Sequence, residues 1–420
     1  MISIGRQAAP ALPLADGPRR VLPKAPVLGW RSLCGAAAPE LPSVADLPWH
    51  AYTTSGRAAL YLALRQMRLP SNTPVLVPTY HCPTMIAPVV AAGLTPRFYG
   101  LAPDGSPRLE GMTEGAGGRA RVVIVAQLFG LPRSLAAEAD WCRREGVALI
   151  EDCAHSFFGQ AGERPVGAWG DYATASLSKF YPVPEGGILA SATRDLSQLG
   201  LAPQTLRAEL KTMWDIVDRS RSHGRLRGLA PLLAPADWLR RLRRRPPASG
   251  ADADLDGDGD AARDALPSTP ATAAPCDMSR VDCQASWAAR AIHRRLAAGT
   301  IVARRQAHFR HYAASLGVLS GACILQPAPA AGSAPYVVPL WVAGTARADA
   351  VYAQLRAAGT PVLRWDRLWP GTPADPADTG TAWSRQLLQL LCHQDLTAED
   401  VEHAAGQVRA ALQVAARVAR

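Results

Sequence analysis

Short apolar runs rich in β-branched residues alternate with amphipathic stretches through the first half of the chain. Val147 to Ile150 and Tyr172 to Leu177 read as buried parallel strands, and Asp152 and Lys179 follow them closely. Arg121 to Pro132 reads as a further buried strand with its turn, and Ala136 to Glu145 as a short helix leading into the strand that ends in Glu151-Asp152. Upstream, TTSGRAALYLALRQM predicts a helix opened at Thr54-Ser55-Gly56, with Leu60, Ala63, Leu64 and Met67 at i, i+3, i+4 and i+7. The segment VLVPTYHCPTMIAPVVAAGLTPRFYGL predicts strand, loop, helix and strand, and another strand runs from Gly187 to Ser191. This alternation predicts an α/β fold built on a large doubly wound, mostly parallel sheet.

The second half is less regular. Residues 1–50 are Pro-rich and read as an extended N-terminal arm, and residues 51–245 as the large domain. Residues 200 to 245 are basic and helical and end in the Arg-rich run Asp237 to Pro247. That run reads as a solvated face in preference to a membrane-surface helix. Residues 246–276 form a low-complexity insert. In it Asp252, Asp254, Asp256 and Gly257 imitate a calcium loop, but Arg263 stands where the bidentate Glu belongs, so no metal site is expected. Residues 277–420 read as a connecting helix followed by a small C-terminal α/β domain. Its strands are expected at Pro335 to Val342 and Val362 to Trp365, and Thr397 with Asp400 caps the last helix.

At 420 residues the chain is long enough for a large domain and a smaller one. Its 45 basic and 35 acidic residues give +10, which favours anionic ligands. No basic and aromatic pattern of a nucleic-acid module accompanies that charge, so no nucleic-acid partner is expected. The eight cysteines are dispersed with no CxxC pair, as suits a reducing compartment, and no apolar run approaches the ~18 residues of a membrane span. A cytoplasmic protein without an integral membrane segment is the expectation.

The chemistry concentrates between Glu151 and Gly187. Ligands of open α/β sheets bind outside the carboxyl ends of the strands, so Asp152 and Lys179 are expected to face one crevice. A lysine amine that condenses with an aldehyde, and an aspartate that keeps a pyridine nitrogen protonated, together suit pyridoxal 5'-phosphate (PLP). The order Glu151-Asp152-x-Ala154-His155, Val166-Gly167-x-x-Gly170-Asp171, Ser176, Lys179 and Glu185-Gly186-Gly187 resembles the DegT-type aminotransferases of fold type I, most of which aminate nucleotide-linked keto sugars.

That resemblance covers roughly residues 50 to 195 and 277 to 415. It implies that Lys179 carries PLP and moves the proton, that Asp152 stabilises the pyridinium, and that His155 touches the ring hydroxyl. It also implies a phosphate held by Gly56, Arg57 and Ser176, a small-molecule acceptor that is a keto sugar, glutamate as the amino donor, and a homodimer. The general basis of the phosphate site is the unpaired N–H groups and positive dipole end of a helix start. The chain departs from the family at three places: Arg57 replaces threonine, Cys82 occupies the slot of an aromatic that stacks on the ring, and Pro275, Cys276 and Asp277 precede Met278 where Asn and Arg are usual. Tyr80 or His81 are alternatives for covering the ring, and Gln127 stands where relatives often have histidine. The competing functions are a PLP-dependent dehydratase, in which histidine replaces the lysine, and a non-catalytic scaffold or surface-binding protein.

Overall fold

The computed structural model describes residues 22–33, 41–229, 278–326 and 328–418. After a one-turn helix α1 (Trp30–Leu33), the large domain is assembled from β1 (Trp49–Thr53), α2 (Gly56–Gln66), β2 (Pro74–Pro78), α3 (Pro83–Ala91), β3 (Thr95–Tyr99), β4 (Val122–Ala126), α4 (Ala136–Glu145), β5 (Ala148–Asp152), a ribbon of β6 (Gln160–Ala161) with β7 (Arg164–Pro165), β8 (Tyr172–Ser176) and β9 (Gly187–Ser191). The main sheet has the order β1-β9-β8-β5-β4-β2-β3. Its centre is parallel, and β9 runs antiparallel to both β8 and β1. The uninterrupted burial of β2, β8 and β9 explains why these strands read as continuous apolar runs, since helices cover both faces.

The stretch read as an arm joins this body at several points. Leu22, Val27, Val44, Ala45 and Leu47 are buried, and β1 begins at Trp49 as an edge strand of the main sheet. Helix α2 starts where its chemistry dictates: the Ser55 hydroxyl accepts from the Ala58 amide at 3.2 Å.

Helix α5 (Leu206–Ser222) closes the first part of the chain. The Arg-rich run, the Asp-rich insert and Pro275, Cys276 and Asp277 lie outside the described residues. The single connecting helix expected from Met278 onward is instead two, α6 (Trp287–Arg295) and α7 (Ala298–Leu316). Leu296 (φ −82°, ψ 128°) and Ala297 (φ −67°, ψ 115°) are extended and break the helical ladder between them. The small domain follows with β10 (Ala322–Ile324), β11 (Val337–Val342), α8 (Thr345–Ala357), β12 (Val362–Leu363), α9 (Thr379–Gln386), β13 (Leu387–Leu391) and α10 (Ala398–Val418). Its sheet is antiparallel in the order β10-β11-β13-β12. The expected cap of the last helix is present: the Asp400 amide donates to Thr397 Oγ1 and the Thr397 amide to Asp400 Oδ2.

Candidate active site

The carboxyl ends of β5 and β8 lie side by side, with Asp152 paired to Thr174 in the parallel register. Successive side chains on a strand point to opposite faces, and the two acids of β5 have separate fates. Glu151 is buried; it accepts from the Gln127 side-chain amide at 3.0 Å and from the Trp169 amide at 3.0 Å. Burial raises its pKa, and these donors oppose that shift in part. Gln127, singled out for its place in the motif order, thus secures the back of the strand.

Asp152 faces the crevice. Its Oδ1 accepts from the Ala154 amide at 2.9 Å and from the Thr174 hydroxyl at 3.2 Å. Burial raises its pKa, opposed by the Ala154 N–H, the positive charge of Lys179 and the Thr174 hydroxyl. The same lysine charge acts on His155, whose pKa is pushed well below the ordinary value, first by burial and then by Lys179. His155 is therefore a neutral imidazole at neutral pH. Both of its ring nitrogens are buried without a hydrogen-bond partner.

Lys179 sits in the tight turn after β8. The Phe180 and Tyr181 amides donate to the Leu177 carbonyl at 3.0 and 2.8 Å, which fixes the turn. The Lys179 ammonium lies 5.2 Å from the centre of the Tyr336 ring. Asp152, His155 and Lys179, three residues named from the sequence alone, are thus brought into one electrostatic unit.

A second group forms at the start of α2. A Cβ on Gly56 would lie 3.5 Å from the Ala175 carbonyl and 3.6 Å from the Ser176 Cβ, so the helix start abuts the end of β8. Ser176 is buried there, and its hydroxyl pairs with that of Ser178 at 3.1 Å. The second glycine of the Glu-Gly-Gly turn makes this approach possible: a Cβ on Gly187 would fall 2.3 Å from the Ser55 carbonyl carbon. Arg57 follows Gly56 in the first turn of α2.

Cys82 stands at the loop's junction with α3. It caps the start of α3, with its thiol 2.8 Å from the Thr84 hydroxyl. The aromatic of this loop that turns toward the site is Tyr80, 5.0 Å from Trp365 and 5.5 Å from Trp383. His81 is buried against Phe98; one nitrogen meets the Pro78 carbonyl at 2.9 Å and the other accepts from the Trp369 amide at 3.0 Å.

Residues that the sequence did not reveal come from the small domain. Tyr336 and Trp365 pack against His155 in tilted arrangements, with ring centres at 4.5 and 5.0 Å, and Gln389 donates to the Tyr80 hydroxyl at 2.9 Å. Thr79 Oγ1, Trp365 Nε1 and Gln389 Oε1 are buried without partners around the same aromatic cluster. An acid, a neutral imidazole with two unused nitrogens, a lysine and an adjoining helix start are the donor set that a phosphorylated pyridine aldehyde requires, and these residues fit PLP.

The sheet order, the strand directions and the crevice at the strand ends define the class of fold: this is the fold type I architecture. The solved structure of PseC from Helicobacter pylori, an aminotransferase involved in the biosynthesis of pseudoaminic acid, superposes with a TM-score of 0.61 at 11% identity, over 94% of this chain and 99% of that one.

Residues 49–199 match the model of the DegT/DnrJ/EryC1/StrS aminotransferase family. UDP-N-acetyl-3-dehydro-alpha-D-glucosamine 3-aminotransferase of Acidithiobacillus ferrooxidans is 28% identical over 34% of this chain and 40% of its own length. GDP-perosamine synthase of Vibrio cholerae is 27% identical over 34% and 40%. The sequence match therefore spans less than half of these relatives.

Proposed function

We propose that this protein is a PLP-dependent aminotransferase that moves an amino group, with glutamate as donor, onto a keto sugar, in the nucleotide-linked form used for amino-sugar or polysaccharide biosynthesis. The reading is carried by one observation: Lys179 and Asp152 meet at the ends of adjacent parallel strands, within electrostatic reach of each other and of His155. PLP supplies an aldehyde for the lysine and an electron-accepting ring. Lys179 would hold that aldehyde and carry the proton at Nζ. Asp152 would keep a proton on the ring nitrogen, and neutral His155 would offer a nitrogen to the ring hydroxyl. The α2 start at Gly56, with Arg57 and Ser176, would hold the phosphate.

The names of the relatives support a sugar acceptor, and the buried unpaired atoms of Thr79 and Gln389 beside the aromatic cluster suit hydroxyl groups. A homodimer fits the exposed face of α5, where Leu206, Leu210 and Met213 recur at helical spacing beside exposed Trp287. The cysteines described are free thiols and no described helix is long and apolar enough to cross a membrane, which supports a cytoplasmic setting.

The test is borohydride reduction of protein incubated with PLP, followed by peptide mapping and a glutamate half-reaction. The expected result is one added cofactor on the Lys179 peptide, abolished in Lys179→Ala, and a cofactor absorbance band that glutamate shifts. An unchanged mass of the wild-type chain would sink the proposal and favour a scaffold.

A further inference from the structure

Arg305, the second residue of the Arg304-Arg305 pair on α7, has no exposed surface and is the largest fully buried side chain among those described. A buried guanidinium is normally paired with a carboxylate, because taking its charge out of water is costly. Here the three hydrogen bonds all go to uncharged oxygens: Nη2 to the Lys179 carbonyl at 2.6 Å, Nη1 to the Pro335 carbonyl at 3.0 Å, and Nε to Gln394 Oε1 at 2.8 Å. Its carbon centre lies 4.6 Å over the Phe180 ring. Gln394 completes the bracket by donating to the Phe180 carbonyl at 2.7 Å, so two consecutive carbonyls of the lysine turn are held from outside.

These acceptors belong to three separate segments: the lysine turn, the lead-in to β11, and the connector after β13. Pro335 immediately precedes Tyr336, the ring that lies between the Lys179 ammonium and His155. A planar fork with fixed N–H directions can serve three such acceptors at once, and a lysine ammonium on a flexible stem cannot. A group retained only for stability would be replaced at little cost by an apolar side chain of similar volume. One of these bonds instead holds the backbone of the one amine the site needs, and Gln394, which takes another, holds the next carbonyl.

We propose that Arg305 is a positioning residue for Lys179: it locks the lysine turn to the Tyr336 segment and so fixes where the amine stands relative to Asp152 and His155. The proposal rests on Lys179 being the cofactor lysine. Arg305 touches neither cofactor nor substrate and acts through the peptide of the residue that does.

The full-length wild-type protein and the variants Arg305→Gln, Arg305→Lys and Gln394→Ala are incubated with PLP and reduced with borohydride at timed intervals. Modification of the Lys179 peptide is then counted against that of exposed Lys211, with circular dichroism as the folding control. The expected Lys179 to Lys211 ratio falls at least tenfold in Arg305→Gln and less in Gln394→Ala, and is partly restored in Arg305→Lys, while Lys211 itself is unaffected. Loosened packing alone would raise access to Lys179 and move the ratio the other way. A wild-type ratio in folded Arg305→Gln overturns the proposal. If that variant does not fold, a wild-type ratio in both other variants overturns it equally. Absence of trapping at Lys179 in the wild-type protein removes the cofactor reading itself, and this proposal with it.

Discussion

The two edges of the crevice are built on different terms. On the large-domain edge, Asp152, His155, Ser176 and Lys179 follow strand ends within fewer than thirty residues of sequence, and each is placed by the pleat of its strand or the turn just after it. On the small-domain edge, Tyr336, Trp365, Gln389 and the clamp from Arg305 arrive from distant parts of the chain, and they contribute ring faces and neutral polar atoms with no carboxylate among them. The first edge carries the groups proposed for the chemistry; the second sets shape. A catalytic constellation can thus sit on a common scaffold edge while the opposing edge adapts to a particular acceptor.

Substitutions on the two sides should separate these roles. The largest effect is expected from Asp152→Asn, which removes the charge proposed to face the ring nitrogen. Turnover should fall by about a hundredfold to a thousandfold, with the far-ultraviolet dichroism unchanged and Lys179 still reducible onto the cofactor. An unaltered turnover would break the assignment of chemistry to this edge. Trp365→Ala should act in the opposite sense. Removing a buried indole is expected to cost about 3 kcal/mol of stability in urea unfolding and to raise KM for the acceptor more than it lowers kcat. A loss confined to kcat would place catalysis on the small-domain edge as well.

Acidification tests both edges together. Burial holds His81 down to about 4 on the large-domain side and His393 down to about 3 on the small-domain side, against an ordinary 6.5. The unfolded chain takes up these protons as pH falls through 6.5, and the folded chain does so only near the lowered values. Stability is therefore full above pH 6.5 and is lost as pH falls toward 4. Urea unfolding at a pH one unit below the ordinary value should show a loss of about 1.4 kcal/mol for each of the two histidines. Equal stability at that pH and at neutral pH would contradict the burial of both rings.

How much of this was legible in the sequence follows the same division. Strand β5 and helix α4 could be read because their periodicity is local, and Asp152 and Lys179 because strand ends mark a crevice in any open α/β sheet. Arg305 could not be read that way. In a helix whose neighbours include Arg304, Arg310 and two histidines it looks like one more solvated charge, and its principal acceptor lies 126 residues away. Tyr336 and Trp365 were likewise expected only as parts of strands, since no spacing rule links them to His155. Cys82 was assigned by counting along the motif, which fixes a position in the loop but not which way its side chain turns. The break at Leu296 is similar, because helical composition continues across it and only the backbone shows the two pieces.

Among the described residues, strand β3 pairs only with β2 and leaves its outer rim open. Pro96 removes one donor from that rim, and the Arg97 guanidinium fans over the carbonyls of Met112, Thr113, Ala116 and Gly118 in the neighbouring loop. A rim blunted in this way is a poor template for a strand from another molecule. Crowded chains of this protein are thereby steered away from sheet-to-sheet aggregation, and Arg97→Val is the single change that would most readily invite it.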